Sequence, residues 1–114
     1  MTTIVIRKDQ NGSYRGILCM GHADYAKKHF LFREPDILCA AISVTVIGTL
    51  NSLKELADEK FEVSQNENTG FIKCDFEEPL QEKSQFLLDS MVFTLNELSR
   101  KYGERYLQVR IEEV

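Results

Sequence analysis

The sequence predicts an α+β fold in the order ββαββαβ, a mixed sheet with two helices packed on one of its faces. Short segments of period-two apolar residues, several bounded by turn-forming clusters, read as strands. Two longer segments, 37–50 and 80–102, are apolar on almost every side or at spacings of three and four, and read as helices. A length of 114 residues with 43% apolar content suffices for one domain, 1–114, with its own core, and leaves little room for a second.

Ile4-Val5-Ile6 forms the first strand, since β-branched residues pack well on a pleated surface. Asp9-Gln10-Asn11-Gly12-Ser13 supplies turn residues that tolerate positive φ, and the chain resumes with Tyr14, Gly16, Leu18 and Met20 on one face. These segments make an opening hairpin. Periodicity fails from Ala23 to Pro35, where Lys27, Lys28, His29, Arg33 and Glu34 interleave with Phe30, Leu31 and Phe32. That stretch is the candidate lid, and its Phe30-Leu31-Phe32 stripe suits either contact with an apolar ligand side chain or a tuck onto the surface. Pro35-Asp36 then starts a helix, because the Asp carboxylate accepts first-turn amide hydrogens and sits at the positive end of the helix dipole.

Ile37 to Leu50 is broken mainly by Ser43, Thr45 and Thr49, so this helix needs cover from more than one direction, a sheet on one side and a partner on the other. It turns polar at Lys54 to Glu59. Phe61 and Val63 alternate into Asn66-Glu67-Asn68-Thr69-Gly70, followed by Ile72, Cys74 and Phe76, which makes a second hairpin. After Pro79, the residues Leu80, Leu87, Leu88, Met91, Val92, Leu95, Leu98 and Tyr102 define an amphipathic helix that Gly103 ends. Leu107, Val109 and Ile111 alternate with polar residues in a last strand. There are no repeats, linkers or low-complexity tracts.

With 14 basic and 18 acidic residues, the net charge of -4 argues against a dedicated nucleic-acid or anionic-membrane binder and suits a basic partner better. The acidic pairs Glu77-Glu78 and Glu112-Glu113 read as solvated ends. Three cysteines, Cys19, Cys39 and Cys74, do not make a disulfide framework, so a reducing cytoplasm is the expected setting. Met1 to Arg7 lacks the pattern of an export leader, and no uninterrupted apolar run approaches the ~18 residues of a spanning segment.

The chemistry concentrates in Gly21-His22-Ala23 at a strand end and Asp36-Ile37-Leu38-Cys39-Ala40-Ala41-Ile42-Ser43 at a helix start. A thiol is a poor nucleophile until a neighbouring positive charge or a helix N-terminus favours its thiolate. Cys39 has the helix start and His22 as a candidate base, Gly21 lets backbone or substrate approach closely, and first-turn amides are candidate oxyanion donors. Asp36, Asp24 and Ser43 are all candidates to orient the imidazole, with Asp36 also needed as a cap and Ser43 one turn beyond Cys39 on the same face.

Plainer readings stand beside this one. Cys39 among Ala and Ile is also a plausible small core residue, His22 a loop-capping hydrogen-bonder, and Cys74 an inward-facing core residue. Cys19-Met20-Gly21-His22 has the spacing of half a zinc site, but no second close pair accompanies it, and residues three apart on a strand face opposite ways. No metal or other cofactor is expected. A noncatalytic module that grips a protein partner in the same groove is the competing functional class, and a homodimeric scaffold is a third.

The pair Gly21-His22-Ala23-Asp24-Tyr25 and Asp36-Ile37-Leu38-Cys39-Ala40-Ala41-Ile42-Ser43 resembles the paired motifs of the bacterial ribosomal-processing cysteine protease family, Prp, and the resemblance extends over essentially the whole chain. It implies a catalytic dyad of His22 and Cys39, a mobile loop between them, and a homodimer. It also implies endopeptidase cleavage of the N-terminal extension of large-subunit ribosomal protein twenty-seven after an aromatic residue, and on the noncatalytic alternative a homodimeric module that binds a ribosomal protein or assembly factor. The family's Asp and Ser positions match Asp36 and Ser43. One departure is the stretch between His22 and Cys39, which is longer than usual and has His29 to Pro35 where relatives carry a glycine or two; added loop length costs little closure entropy.

Overall fold

Alternating side-chain direction along each strand decides what the sheet buries, and the register decides which rows meet. The computed structural model describes residues 1–25 and 36–114. It contains β1 (Thr2–Lys8), β2 (Tyr14–Met20), α1 (Ile37–Glu55), β3 (Val63–Asn66), β4 (Phe71–Asp75), α2 (Glu82–Tyr102) and β5 (Leu107–Glu113), the predicted order. The strands form one mixed sheet ordered β3-β4-β2-β1-β5, in which β1 and β5 are parallel and the other pairs antiparallel.

Ile4 and Ile6 lie opposite Cys19 and Ile17, which lie opposite Ile72 and Cys74. This row is buried under Leu38, Ile42, Val46, Leu50 and Leu53 of α1 and Leu88, Met91 and Leu95 of α2, so both helices cover the same face. Each large side chain in that layer contributes roughly 1.5–3 kcal/mol of burial. The opposite face carries a polar pair, Arg7 Nη1 to Asp75 Oδ1 at 2.7 Å.

The sequence-based grouping of Tyr14 with Gly16, Leu18 and Met20 is corrected by the register. Arg7 pairs with Gly16 but Lys8 pairs with Tyr14, so Arg15 is an extra residue and Tyr14 swings to the helix side. There its hydroxyl donates to Asp89 Oδ1 at 2.5 Å, and burial together with that carboxylate holds the phenol protonated far above its ordinary range. Nothing local in the sequence marks a bulge set by the neighbouring strand.

α1 ends at Glu55, short of the polar run to Glu59, and the Leu56 amide closes on the Ser52 carbonyl. Its length and composition match a membrane span, but its buried residues meet the sheet and α2, and the Thr45 and Thr49 hydroxyls bond back to the Ala41 and Thr45 carbonyls at 2.7 Å. Its outer side stays open: Val44 is 73% exposed, as are Phe86 (72%) and Phe93 (67%) on α2. Leu80 precedes α2 rather than lying in it. The Phe30-Leu31-Phe32 stripe and most of the expected lid lie outside the described residues.

Candidate active site

β2 delivers His22 by ending just before it. Gly21 has φ 83, a left-handed conformation that suits glycine, and it turns the chain out of the sheet. Thr2 Oγ1 donates to the Gly21 carbonyl at 3.2 Å, and Ala23 is buried beyond, so His22 is held between two anchored residues. Cys19 and His22 would face opposite ways only on a strand that continued through Gly21. The Gly21 turn breaks that alternation, and both residues border one cleft, with Cys19 nearly sealed at 3% exposure. Among the described residues no group of three or more His, Cys, Asp or Glu is arranged to hold a metal ion.

The head of α1 delivers Cys39. Asp36 is the N-cap, and its Oδ1 accepts from the Cys39 amide at 2.9 Å. Its other oxygen accepts from the Tyr25 amide at 2.8 Å. One carboxylate thus ties the segment after His22 to the turn that carries Cys39, and the two motifs close on each other: Cys39 Sγ lies 3.8 Å from His22 Nδ1. On the far side of the ring, His22 Nε2 donates to the Asn68 carbonyl at 2.9 Å.

Asp24 turns away, at φ 54, to the N-terminal amine 3.7 Å from its Oδ2, and the Asp36 oxygens serve the cap and Tyr25. Ser43 borders the cleft one turn beyond Cys39, and Gly21 borders it beside the ring. The group at the second ring nitrogen is a backbone carbonyl from the β3–β4 turn. In the sequence Asn66 to Gly70 carries the signal of a turn alone, and a carbonyl has no residue signature by which to find it.

The cleft is about 320 Å³, floored by Ile42, Ile47, Phe71 and Ile72, with Ser43, Gln65 and Glu67 among its polar residues. Cys39 is half-buried at its edge, whereas Cys19 and Cys74 are free thiols inside the core. Burial, with a smaller effect of neighbouring Cys39, pushes the Cys19 thiol up to about 11, and burial pushes Cys74 up to about 12. A larger groove of about 580 Å³ between α2 and β5 is lined by such residues as Asn96, Arg100 and Arg110, with no cysteine or histidine among the described residues that line it.

The sequence of residues 1–107 matches the model of the family described as cysteine protease Prp. The chain belongs to the Prp family and is a cysteine endopeptidase. Two proteins named ribosomal processing cysteine protease Prp are similar to it. That of Bacillus subtilis is 26% identical over 108 residues, covering 91% of this chain and 92% of its own. That of Staphylococcus aureus is 24% identical over 104 residues, covering 91% and 93%. The fold also matches a crystal structure of the Staphylococcus aureus Prp with a covalently linked product peptide, at TM-score 0.84 and 21% identity, over 98% of this chain and 100% of that one. The Prp fold therefore accounts for the whole architecture described above.

Proposed function

We propose that this Prp-family protease removes the N-terminal extension of large-subunit ribosomal protein twenty-seven, with Cys39 as nucleophile and His22 as its acid and base. The observation that carries the assignment is the 3.8 Å approach of Cys39 Sγ to His22 Nδ1 at the head of α1, on an open cleft. A carbonyl can only accept, so the neutral ring carries its proton on Nε2 and turns the Nδ1 lone pair toward sulfur. Nδ1 takes the thiol proton as sulfur attacks the scissile carbonyl carbon. The tetrahedral intermediate then collapses, the C–N bond breaks, and the imidazolium Nδ1–H protonates the leaving amine. A water molecule, deprotonated by the same nitrogen, hydrolyses the thioester and frees Cys39.

The helix start supplies fewer oxyanion donors than the sequence implied. The Cys39 amide is bonded to Asp36 Oδ1 and the Ala40 amide to the Asp36 carbonyl at 3.1 Å, which leaves Ile37 and Leu38 as the first-turn amides outside the cap. The apolar floor of Ile42, Ile47, Phe71 and Ile72 suits an apolar or aromatic substrate side chain, and Glu67 suits a basic residue nearby.

The enzyme acts as a homodimer in a reducing cytoplasm on this proposal, supported by the exposed Val44, Phe86 and Phe93 of the outer helix faces and by the three free thiols. Sedimentation showing only monomer at micromolar concentration refutes the dimer. Mass spectrometry of the extended ribosomal protein incubated with enzyme tests the rest: wild type should release the extension and Cys39→Ala should not. Full cleavage by Cys39→Ala refutes the dyad, and an untouched precursor with an active wild type refutes the substrate.

A further inference from the structure

Asn68 sits in a turn that is fixed from within and pressed against the active-site strand end. Asn66 Oδ1 accepts from the Asn68 amide at 3.0 Å, and the Thr69 hydroxyl donates to the Asn66 carbonyl at 3.4 Å. Gly70, at φ 71, packs so closely that a Cβ there would overlap the Gly21 carbonyl and lie 3.3 Å from His22 Nδ1. Since β3 pairs only with β4 among the described residues, at the end of the strand order, this contact and the β4 register set where the turn stands.

We propose that the β3–β4 turn is a positioning element of the catalytic centre, in which the Asn68 carbonyl fixes the His22 ring and its tautomer, and Asn66 and Gly70 are the residues that place that carbonyl. The inference rests on the His22 and Cys39 assignment above. A neutral imidazole has one donor and one acceptor nitrogen, and whichever nitrogen meets a pure acceptor must hold the proton. With Nε2 held by Asn68, Nδ1 is the acceptor in the resting state. When Nδ1 takes the thiol proton, the same carbonyl dipole faces a full cation and the bond becomes charge-assisted. The turn thus plays the orienting part that a carboxylate plays in other nucleophile–histidine pairs, without adding a charge. Because the acceptor is backbone, what matters is turn geometry, and Gly70 is where geometry is most constrained.

The test compares Gly70→Ala with Gly12→Ala, which puts the same kind of strain, at φ 81, into a turn with nothing within 4 Å of the new Cβ. Gly70→Ala should lower kcat about 10- to 100-fold with KM within about twofold, inside the range that a misplaced general base can cost. Gly12→Ala should match wild type in both. Asn66→Ala, which keeps the glycine, should lower kcat in the same sense and serves if Gly70→Ala fails to fold. Nitrogen NMR of His22 in a Cys39→Ala background should show the neutral ring protonated at Nε2, and a mixture of tautomers once Gly70→Ala is added. The proposal is overturned if the ring without the turn mutation is protonated at Nδ1, or if kcat of Gly70→Ala, or of Asn66→Ala where that variant stands in, equals that of Gly12→Ala. Failure of the dyad itself reads differently: Cys39→Ala would then still cleave.

Discussion

The two hairpin turns of this protein are built alike and do different work. In the β1–β2 turn, Asp9 Oδ1 accepts from the Asn11 and Ser13 amides at 2.9 and 3.0 Å, and Gly12 takes positive φ. In the β3–β4 turn, Asn66 Oδ1 accepts from the Asn68 amide at 3.0 Å, and Gly70 takes positive φ. Both are local Asx solutions to reversing a chain. Gly12 stands in open space, whereas Gly70 packs against the Gly21 carbonyl and the His22 ring. They flank opposite ends of the β2 region, separated by a strand of about 20 Å. Similar local chemistry therefore supports a bare chain reversal in one place and a wall of the cleft bordered by His22 and Cys39 in the other, and the difference lies in what the sheet brings alongside.

The largest effect comes from removing what distinguishes the second turn. His22→Ala takes away the group that Asn68 holds and should lower kcat by about 10²- to 10⁴-fold, while Cys39→Ala should bring cleavage of an extended peptide to background. Asp36→Ala loses the cap and the Tyr25 tether together, so chemical denaturation should show a loss of about 1–2 kcal/mol, with a fall in kcat. A stability loss with unchanged kcat would mean that the tether does not align the dyad.

The glycine pair sharpens the contrast further. Gly12→Ala should cost about 1 kcal/mol of stability for its left-handed backbone, and Gly70→Ala more, because backbone overlap adds to the same strain. Equal losses would place the Gly70 contact in doubt. The smallest effects belong to the Asx side chains: Asp9→Ala and Asn66→Ala should each cost about 0.5–1.5 kcal/mol, and only the second should reduce kcat.

All these comparisons belong below pH 9. Burial raises the folded-state values of Cys19 to about 11 and of Cys74 to about 12, so between pH 9 and 11 the unfolded chain releases thiol protons that the native state retains. Stability is intact below that window and should fall through it by about 1.4 kcal/mol per pH unit for each thiol. Urea melts at pH 8 and pH 10 check this, and equal midpoints would contradict the burial of the two thiols.

What the sequence revealed follows the range of the forces involved. Strand alternation, the helical stripe ending at Gly103 and the cap at Asp36 are local, and each was legible: the carboxylate three residues before Cys39 does bond its amide. His22 and Cys39 were legible as candidates because nucleophilic chemistry demands particular residue types. Tyr14 was misplaced because a bulge depends on the partner strand's register. The separation of Cys19 from His22 failed because Gly21 re-aims the chain. Asn68 was invisible because its contribution is a carbonyl, which every residue possesses, and its value lies in a contact 46 positions away.

The most direct test of the central claim is intact-protein mass spectrometry of the enzyme quenched in acid during turnover of an extended ribosomal-protein peptide. The account expects a transient adduct equal to the N-terminal cleavage fragment, mapped to Cys39 and absent in His22→Ala. Cleavage that proceeds while Cys39 remains unmodified at every quench time would contradict it.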